Sequence, residues 1–293
     1  MRYLEKHPMI MIVVGILGIS LSSILVKYSA APAAVTAAYR MLWTVLFLSP
    51  VVFGKPAVRR ELLRIPRKLA VLSALGGLFL AAHFVLWFES LDHTSVASST
   101  TLVCTEVIWV SLGFCLVLKG KLSGKAVTAI AVTLAGSALI AYSDSGSGSQ
   151  LYGDILALMA AMIEAVYTLI GREVRKHAST TVYTYLVYSA CGVVLVATCL
   201  VKGEGLFDYG LSPVVVGALL AVFSTILGHS ILSWCLKYLS ASFVSASKLC
   251  EPVAAAVLAA FLFAEIPTGL QILGGALILG GVCWYSQIER KSE

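Results

Sequence analysis

Two glutamates, Glu106 and Glu251, stand 145 positions apart, each near the middle of a long apolar run. A carboxylate at that depth in hydrocarbon is costly unless it faces a cavity or a partner, so both are candidates for holding a proton or a cationic group. Around the second acid the chain reads Ser247-Lys248-Leu249-Cys250-Glu251-Pro252. Lys248 stands three positions before Glu251, which puts both on one helical face where an ion pair can form. Pro252 has no N–H for the Lys248 carbonyl, which favours a bend there. A cation, an anion and a loose carbonyl then share one turn.

Further polar residues sit inside other apolar runs. Glu164 is too deep in its run to reach water, and Thr168 follows one turn later. Arg40, with Trp43 and Thr44 close behind, can pair with one of the acids or bind an anionic group. His83 precedes Trp87 by one turn, and Thr225, His229, Ser233 and Lys237 form a stripe at four-residue spacing, as Ser20, Ser23 and Lys27 do at helical spacing. Hydroxyls of this kind more often bond their own helix or glue neighbours than bind solute. Both histidines read first as hydrogen-bonded core residues and second as groups able to titrate near neutral pH. The expected binding set is Glu164, Lys248, Glu251, Glu106, Trp87, His83, His229 and Arg40, with Lys248 paired either to Glu251 or to Glu164.

That chemistry is binding, not covalent catalysis. The chain has no HExxH, GxSxG or phosphate-cradling GKS/T motif, which argues against an ATP-driven pump. Its seven cysteines all lie in apolar runs without a CxxC or Cys/His cluster, so they read as small buried hydrophobes, and neither a metal nor a cofactor is expected. The alternative is an intramembrane enzyme acting on a lipid-linked substrate. It would need His and Glu gathered at one membrane interface, and here they lie at mid-depth.

The elements that must position these groups follow from composition. Over 293 residues, 59% are hydrophobic and 12% charged, and mean hydropathy is +0.93. A soluble domain carries about a quarter charged residues. Membrane-spanning backbone must satisfy its own hydrogen bonds, and long unbroken apolar runs select helices over a barrel. Ten spans are expected, at 9–27, 33–53, 69–88, 95–118, 124–142, 153–171, 181–201, 213–236, 242–263 and 270–287. The first has the flanks of a leader peptide, but its apolar run of 18 is long for one and it has a counterpart in the second half, so it reads as a retained span.

Basic residues orient the bundle. With the amino terminus cytoplasmic, 17 of the 21 lysines and arginines fall on the cytoplasmic side, and only Lys27 and Lys202 on the other. This places both termini inside and accounts for the net charge of +6 without nucleic acid.

The Gly/Ser stretch 143–149 divides the spans five and five. A shift of 145 residues aligns Lys27 with Arg172, Thr36 with Thr181, Ser95 with Ser240, Glu106 with Glu251 and Gly136 with Gly281. Residues 1–145 and 146–293 therefore read as two repeats. Five is odd, so the second copy enters from the opposite side. Inverted repeats around a midplane site are the architecture of alternating-access transporters.

Ala38-Tyr39-Arg40-Met41-Leu42, Lys237-Tyr238-Leu239-Ser240-Ala241-Ser242, Glu251-Pro252, Ala264-Glu265 and the glycine-rich last span together resemble the EamA branch of the drug/metabolite transporter superfamily. The resemblance covers essentially the whole chain. It implies an all-α, ten-helix basket in which spans one to four and six to nine surround a solute cavity while five and ten are peripheral. The fifth and tenth helices are then the candidate surface for a homodimer. It also implies export of amino acids, other metabolites or drugs across the bacterial inner membrane, and Glu164 with Lys248 facing one cavity would suit a small amino-acid-like or amine-bearing metabolite among these. Arg40, Glu251 and Glu265 match residues common in that family, Glu265 at a helix end where its role can be structural. Glu164 and Lys248 depart from it, the first standing where an aromatic is usual and the second where an apolar or small residue is. They are the residues expected to set solute preference.

Overall fold

Helix starts in this chain are marked by proline and by hydroxyl caps, and the apolar runs between them leave the backbone no partner but itself. The computed structural model describes residues 8–106, 108–110, 112–113, 123–144, 146–229, 231 and 250–290. Among these there is no strand; eleven α-helices and one π-helical segment account for the fold. They are α1 (Pro8–Lys27), α2 (Ala33–Gly54), α3 (Pro56–Arg64), α4 (Arg67–His93), α5 (Val96–Val103), α6 (Gly124–Asp144), α7 (Gly148–Val174), α8 (Thr180–Lys202), α9 (Ser212–Leu219), the π segment Leu220–His229, α10 (Cys250–Phe263) and α11 (Gly269–Arg290).

Ser95 caps α5 by accepting the Ser98 N–H, Ser179 caps α8 by accepting the Val182 N–H, and Gly203 closes α8 at φ 70°. Six of the helices, α1, α2, α4, α6, α7 and α8, are long and apolar enough to cross a bilayer. Shorter apolar helices, among them Ser212–Gly228, Cys250–Phe263 and Gly269–Tyr285, fall on other expected spans. Large apolar side chains face outward along them, Val193, Leu200 and Phe261 among the most exposed, as suits a protein whose solvent is lipid.

Three features differ from a plain row of ten helices. The basic stretch after α2 is itself a short helix, α3. The fourth span is interrupted directly after α5: Cys104 and Thr105 form a turn before helix resumes at Glu106. Thr105 donates its hydroxyl to the Leu102 carbonyl and accepts the Trp109 indole N–H, side-chain bonds that compete with the regular ladder. The eighth span changes from α to π at Leu220, so the four-residue stripe from Thr225 to His229 does not keep its α-helical phase. Pro252 lies in α10, and the Lys248 carbonyl opposite its missing N–H lies outside the described residues.

Most packing is between an element of the first half and one of the second. α4 lies along α7 and α8, α2 along α8 and α9, α6 along α11, and α1 along the π segment and α10; α5 meets α7 and α10. The α6–α11 contact depends on glycine. A Cβ placed on Gly136 would stand 2.7 Å from the Gly274 carbonyl oxygen, closer than carbon and oxygen can approach. The faces bearing Gly136, Gly274 and Gly281 are thus taken up by one another.

Candidate functional site

Arg40 is the most deeply buried charge among the expected binding residues, 2% exposed. α9 brings the wall of this site close to α2: at Gly217 a Cβ would meet the Tyr39 side chain and the Arg40 nitrogen. The chain then enters the π segment, and Thr225 comes to face the guanidinium. Arg40 Nε donates to Thr225 Oγ1 and Nη1 to Ser22 Oγ of α1, both at 3.2 Å. The guanidinium carbon stands 4.5 Å from the centre of the Phe84 ring of α4. Four helical elements therefore hold one cation through hydroxyls and a π face. Glu251 and Glu164 lie within coulombic reach of it.

Beside Phe84 in the chain, at the α4–α7 seam, His83 opens the next layer. Ala160 and Ala161 are small and fully buried, so the His83 ring reaches the α7 backbone, with Nδ1 3.1 Å from the Ala160 carbonyl. A carbonyl only accepts, so Nδ1 carries the proton and Nε2 is the ring's acceptor. Within a helix the Ala160 carbonyl points toward residue 164. Glu164 is accordingly beside the same nitrogen, its Oε2 3.6 Å away, beyond hydrogen-bond length. Glu106 and Arg40 both act electrostatically on His83. Glu106 accepts the Thr168 hydroxyl at 2.5 Å, so two carboxylates from different spans converge on successive turns of α7.

Trp87 completes this wall. Its ring lies near-parallel to His83, centroids 5.8 Å apart and planes inclined by 28°. The residue is 7% exposed, and its buried Nε1 has no hydrogen-bond partner among the described residues. Buried polar groups are seldom left so. The other tryptophan at this level, Trp43, instead donates to the Val214 carbonyl at 3.0 Å.

Glu251 enters from α10. Its carbonyl accepts the Ser20 hydroxyl at 3.4 Å, linking that turn to α1 just before Ser22. Lys248 and the His229 side chain lie outside the described residues. The described members of the expected set, Arg40, His83, Trp87, Glu106, Glu164 and Glu251, thus fall into one connected region between the two halves. Ser22 and Phe84 complete it and were not anticipated. The signal for Ser22 was present: Ser20-Leu21-Ser22-Ser23 places hydroxyls around more of α1 than a single face, and all three are buried.

Glu265 lies apart from this region. It accepts the Lys27 ammonium and also the Val96 N–H, the latter at 2.9 Å. It therefore joins the end of α1, the start of α5 and the exit of α10. Nearby, Thr94 Oγ1 donates to Asp154 at 2.8 Å, fixing α4 to α7.

Residues 151–287 match the EamA-like transporter family. Three curated relatives are named uncharacterized transporters. YdfC of Bacillus subtilis is 24% identical over 164 residues, 55% of this chain and 53% of that protein, so this match spans about half of YdfC. A Clostridium kluyveri protein is 23% identical over 211 residues, 70% of this chain and 68% of that one. One from Archaeoglobus fulgidus is 23% identical over 217 residues, 71% and 72% respectively. A solved crystal structure shares the fold over 98% of this chain and 99% of its own, with a TM-score of 0.64 and 17% identity.

Proposed function

We propose that this chain, a multi-pass membrane protein of the EamA-like transporter family, is a secondary transporter that moves a small amine-bearing or amino-acid-like solute by alternating access. The observation that carries the reading is the polar region itself. Arg40, His83, Glu106 and Glu164 meet inside apolar helices, drawn from both halves of the chain. Such groups are expensive in a membrane interior and mark solute or proton paths. Two carboxylates on one side and a cation on the other suit a zwitterion, whose ammonium is met by Glu164 and Glu106 and whose anionic end by Arg40.

The inverted repeat supplies the mechanism, and the packing pattern supports it. Exchanging the two halves turns the pairing of the third span with the sixth into that of the eighth with the first. It turns third-with-seventh into eighth-with-second, and first-with-ninth into sixth-with-fourth. The second–seventh, fourth–ninth and fifth–tenth pairings map onto themselves. Each of these six kinds of contact is made in the fold. A pseudo-twofold of this kind lets the two halves trade conformations about a fixed central site. Residues 1–145 and 146–293 are the two units in this reading, with export across the inner membrane as its direction.

Uptake into proteoliposomes, run against amino acids, amines and nucleosides and repeated for Glu164→Gln and Lys248→Met, tests this. Losing one charged contact to solute is worth about 1.5–3 kcal/mol, so the affinity of the transported amine should fall by roughly tenfold to a hundredfold in Glu164→Gln. Unchanged rate and selectivity in both variants would remove these residues from the site.

A further inference from the structure

From Lys55 to Lys68 the chain carries Lys55, Arg59, Arg60, Arg64, Arg67 and Lys68 against a single acid, Glu61. As sequence this run sets orientation. The structure makes it a surface. α3 has no buried residue, and Leu63 on it is 77% exposed among arginines. Glu61 is one acid against six basic residues, and its Oε1 accepts the Ser179 N–H at 2.6 Å at the start of α8. Residues directly following this helix in the chain line a half-open cavity of about 310 Å³. Pro66, Lys68, Leu69 and Leu72 of the α4 start form one wall, and Glu173 and His177 at the α7 exit form the other. The one carboxylate lining it, Glu173, is held by Lys176 at 2.6 Å.

We infer that this cavity and α3 together bind the headgroup of an anionic phospholipid. The phosphate sits against the Lys68 ammonium and the neighbouring arginines of α3. The first part of an acyl chain runs along Leu69 and Leu72. Leu63 enters the interface beside it, as the apolar side of a basic interfacial helix does. The charge balance selects the ligand. A zwitterionic headgroup would bring its own cation into a rim that already has an excess of positive charge. The site needs only that this face lie at headgroup level, and it is independent of what the central region transports.

The full-length protein in detergent, titrated with phosphatidylglycerol or with phosphatidylcholine and read by native mass spectrometry and Tm, tests the inference. Phosphatidylglycerol should be retained and should raise Tm where phosphatidylcholine does not. Lys68→Gln should lower its retention about fivefold, the effect of one basic residue at a membrane surface. Lys125→Gln, the same charge change at an exposed position outside the cavity, should leave it unchanged. Equal retention of both lipids, an equal loss in Lys125→Gln, or the same stabilisation by inorganic phosphate alone would each overturn the site.

Discussion

Trp87 and Trp43 differ in one bond. Both are set against the helices around Arg40, but the Trp43 indole N–H donates to Val214 while that of Trp87 is buried with no acceptor among the described residues. An unsatisfied buried donor costs about 1–3 kcal/mol. Replacing Trp87 by Phe removes that cost and leaves a small void of similar magnitude. Trp87→Phe is therefore expected to keep Tm while weakening solute affinity about tenfold, the value of one hydrogen bond to solute. Trp43→Phe should do the reverse, lowering Tm with affinity intact. Thermal melts and concentration-dependent proteoliposome uptake distinguish them, and a fall in Tm without a change in affinity for Trp87→Phe would make it a packing residue. Single residues were legible in the sequence because a charge or an imidazole in an apolar run is conspicuous. Their partners were not. The Ala160 carbonyl and the Phe84 ring have no signature of their own, the serine run of α1 marks Ser22 only as one hydroxyl of several, and which of them meets Arg40 or His83 depends on how separate helices rotate against each other.

At the level of elements, six expected spans coincide with helices long and apolar enough to cross a membrane, and parts of the fourth, eighth and ninth lie outside the described residues. Hydropathy carries little of the spans' internal geometry. Length and apolar content do not record hydrogen-bond register, so the π segment Leu220–His229 and the break at Cys104–Thr105 were read as continuous α-helix. The helix α3 was passed over because its run is basic rather than apolar. Pro56 at its first turn and the Val58/Leu62 spacing were its local signals. The glycines of the last span were read as close packing, and the structure separates them. Gly274 and Gly281 face α6 at short range, whereas Gly280 has nothing within 4 Å of where its Cβ would be. Gly136→Ala, against the Gly274 carbonyl, should cost about 1–3 kcal/mol through forced separation of α6 and α11. Gly280→Ala should instead stabilise by up to about 1 kcal/mol, through helix propensity alone. Denaturation of the two variants side by side checks this. Equal effects would mean that the α6–α11 seam is not the close contact described.

At the scale of the whole molecule, the two halves touch along almost every long helix, yet the bonds at one end of the bundle have a different character from those in its middle. Glu265 gathers the ends of α1, α5 and α10, with Tyr28 and Phe263 in ring contact 5.4 Å apart beside it. Thr94 and Asp154 join α4 to α7 at the same end. The contacts these groups make tie helix ends together on one side of the bundle. On the alternating-access reading proposed above, a solute leaving on that side passes between these helix ends, which must separate in part of the cycle, and a half-buried ion pair with capping bonds is the sort of contact that can open and re-form. Cysteines at positions 27 and 265, in a background without the native seven, should therefore arrest transport when joined by a short bis-methanethiosulfonate linker. The expected loss is at least about tenfold, as for a blocked rate-limiting opening, and a reductant should restore the rate. Binding of solute from the opposite face should survive the linker, since the central groups are untouched. Transport that continued at the same rate with the ends joined would show that α1 and α10 move as one body, and the opening would then have to be sought at the Thr94–Asp154 contact.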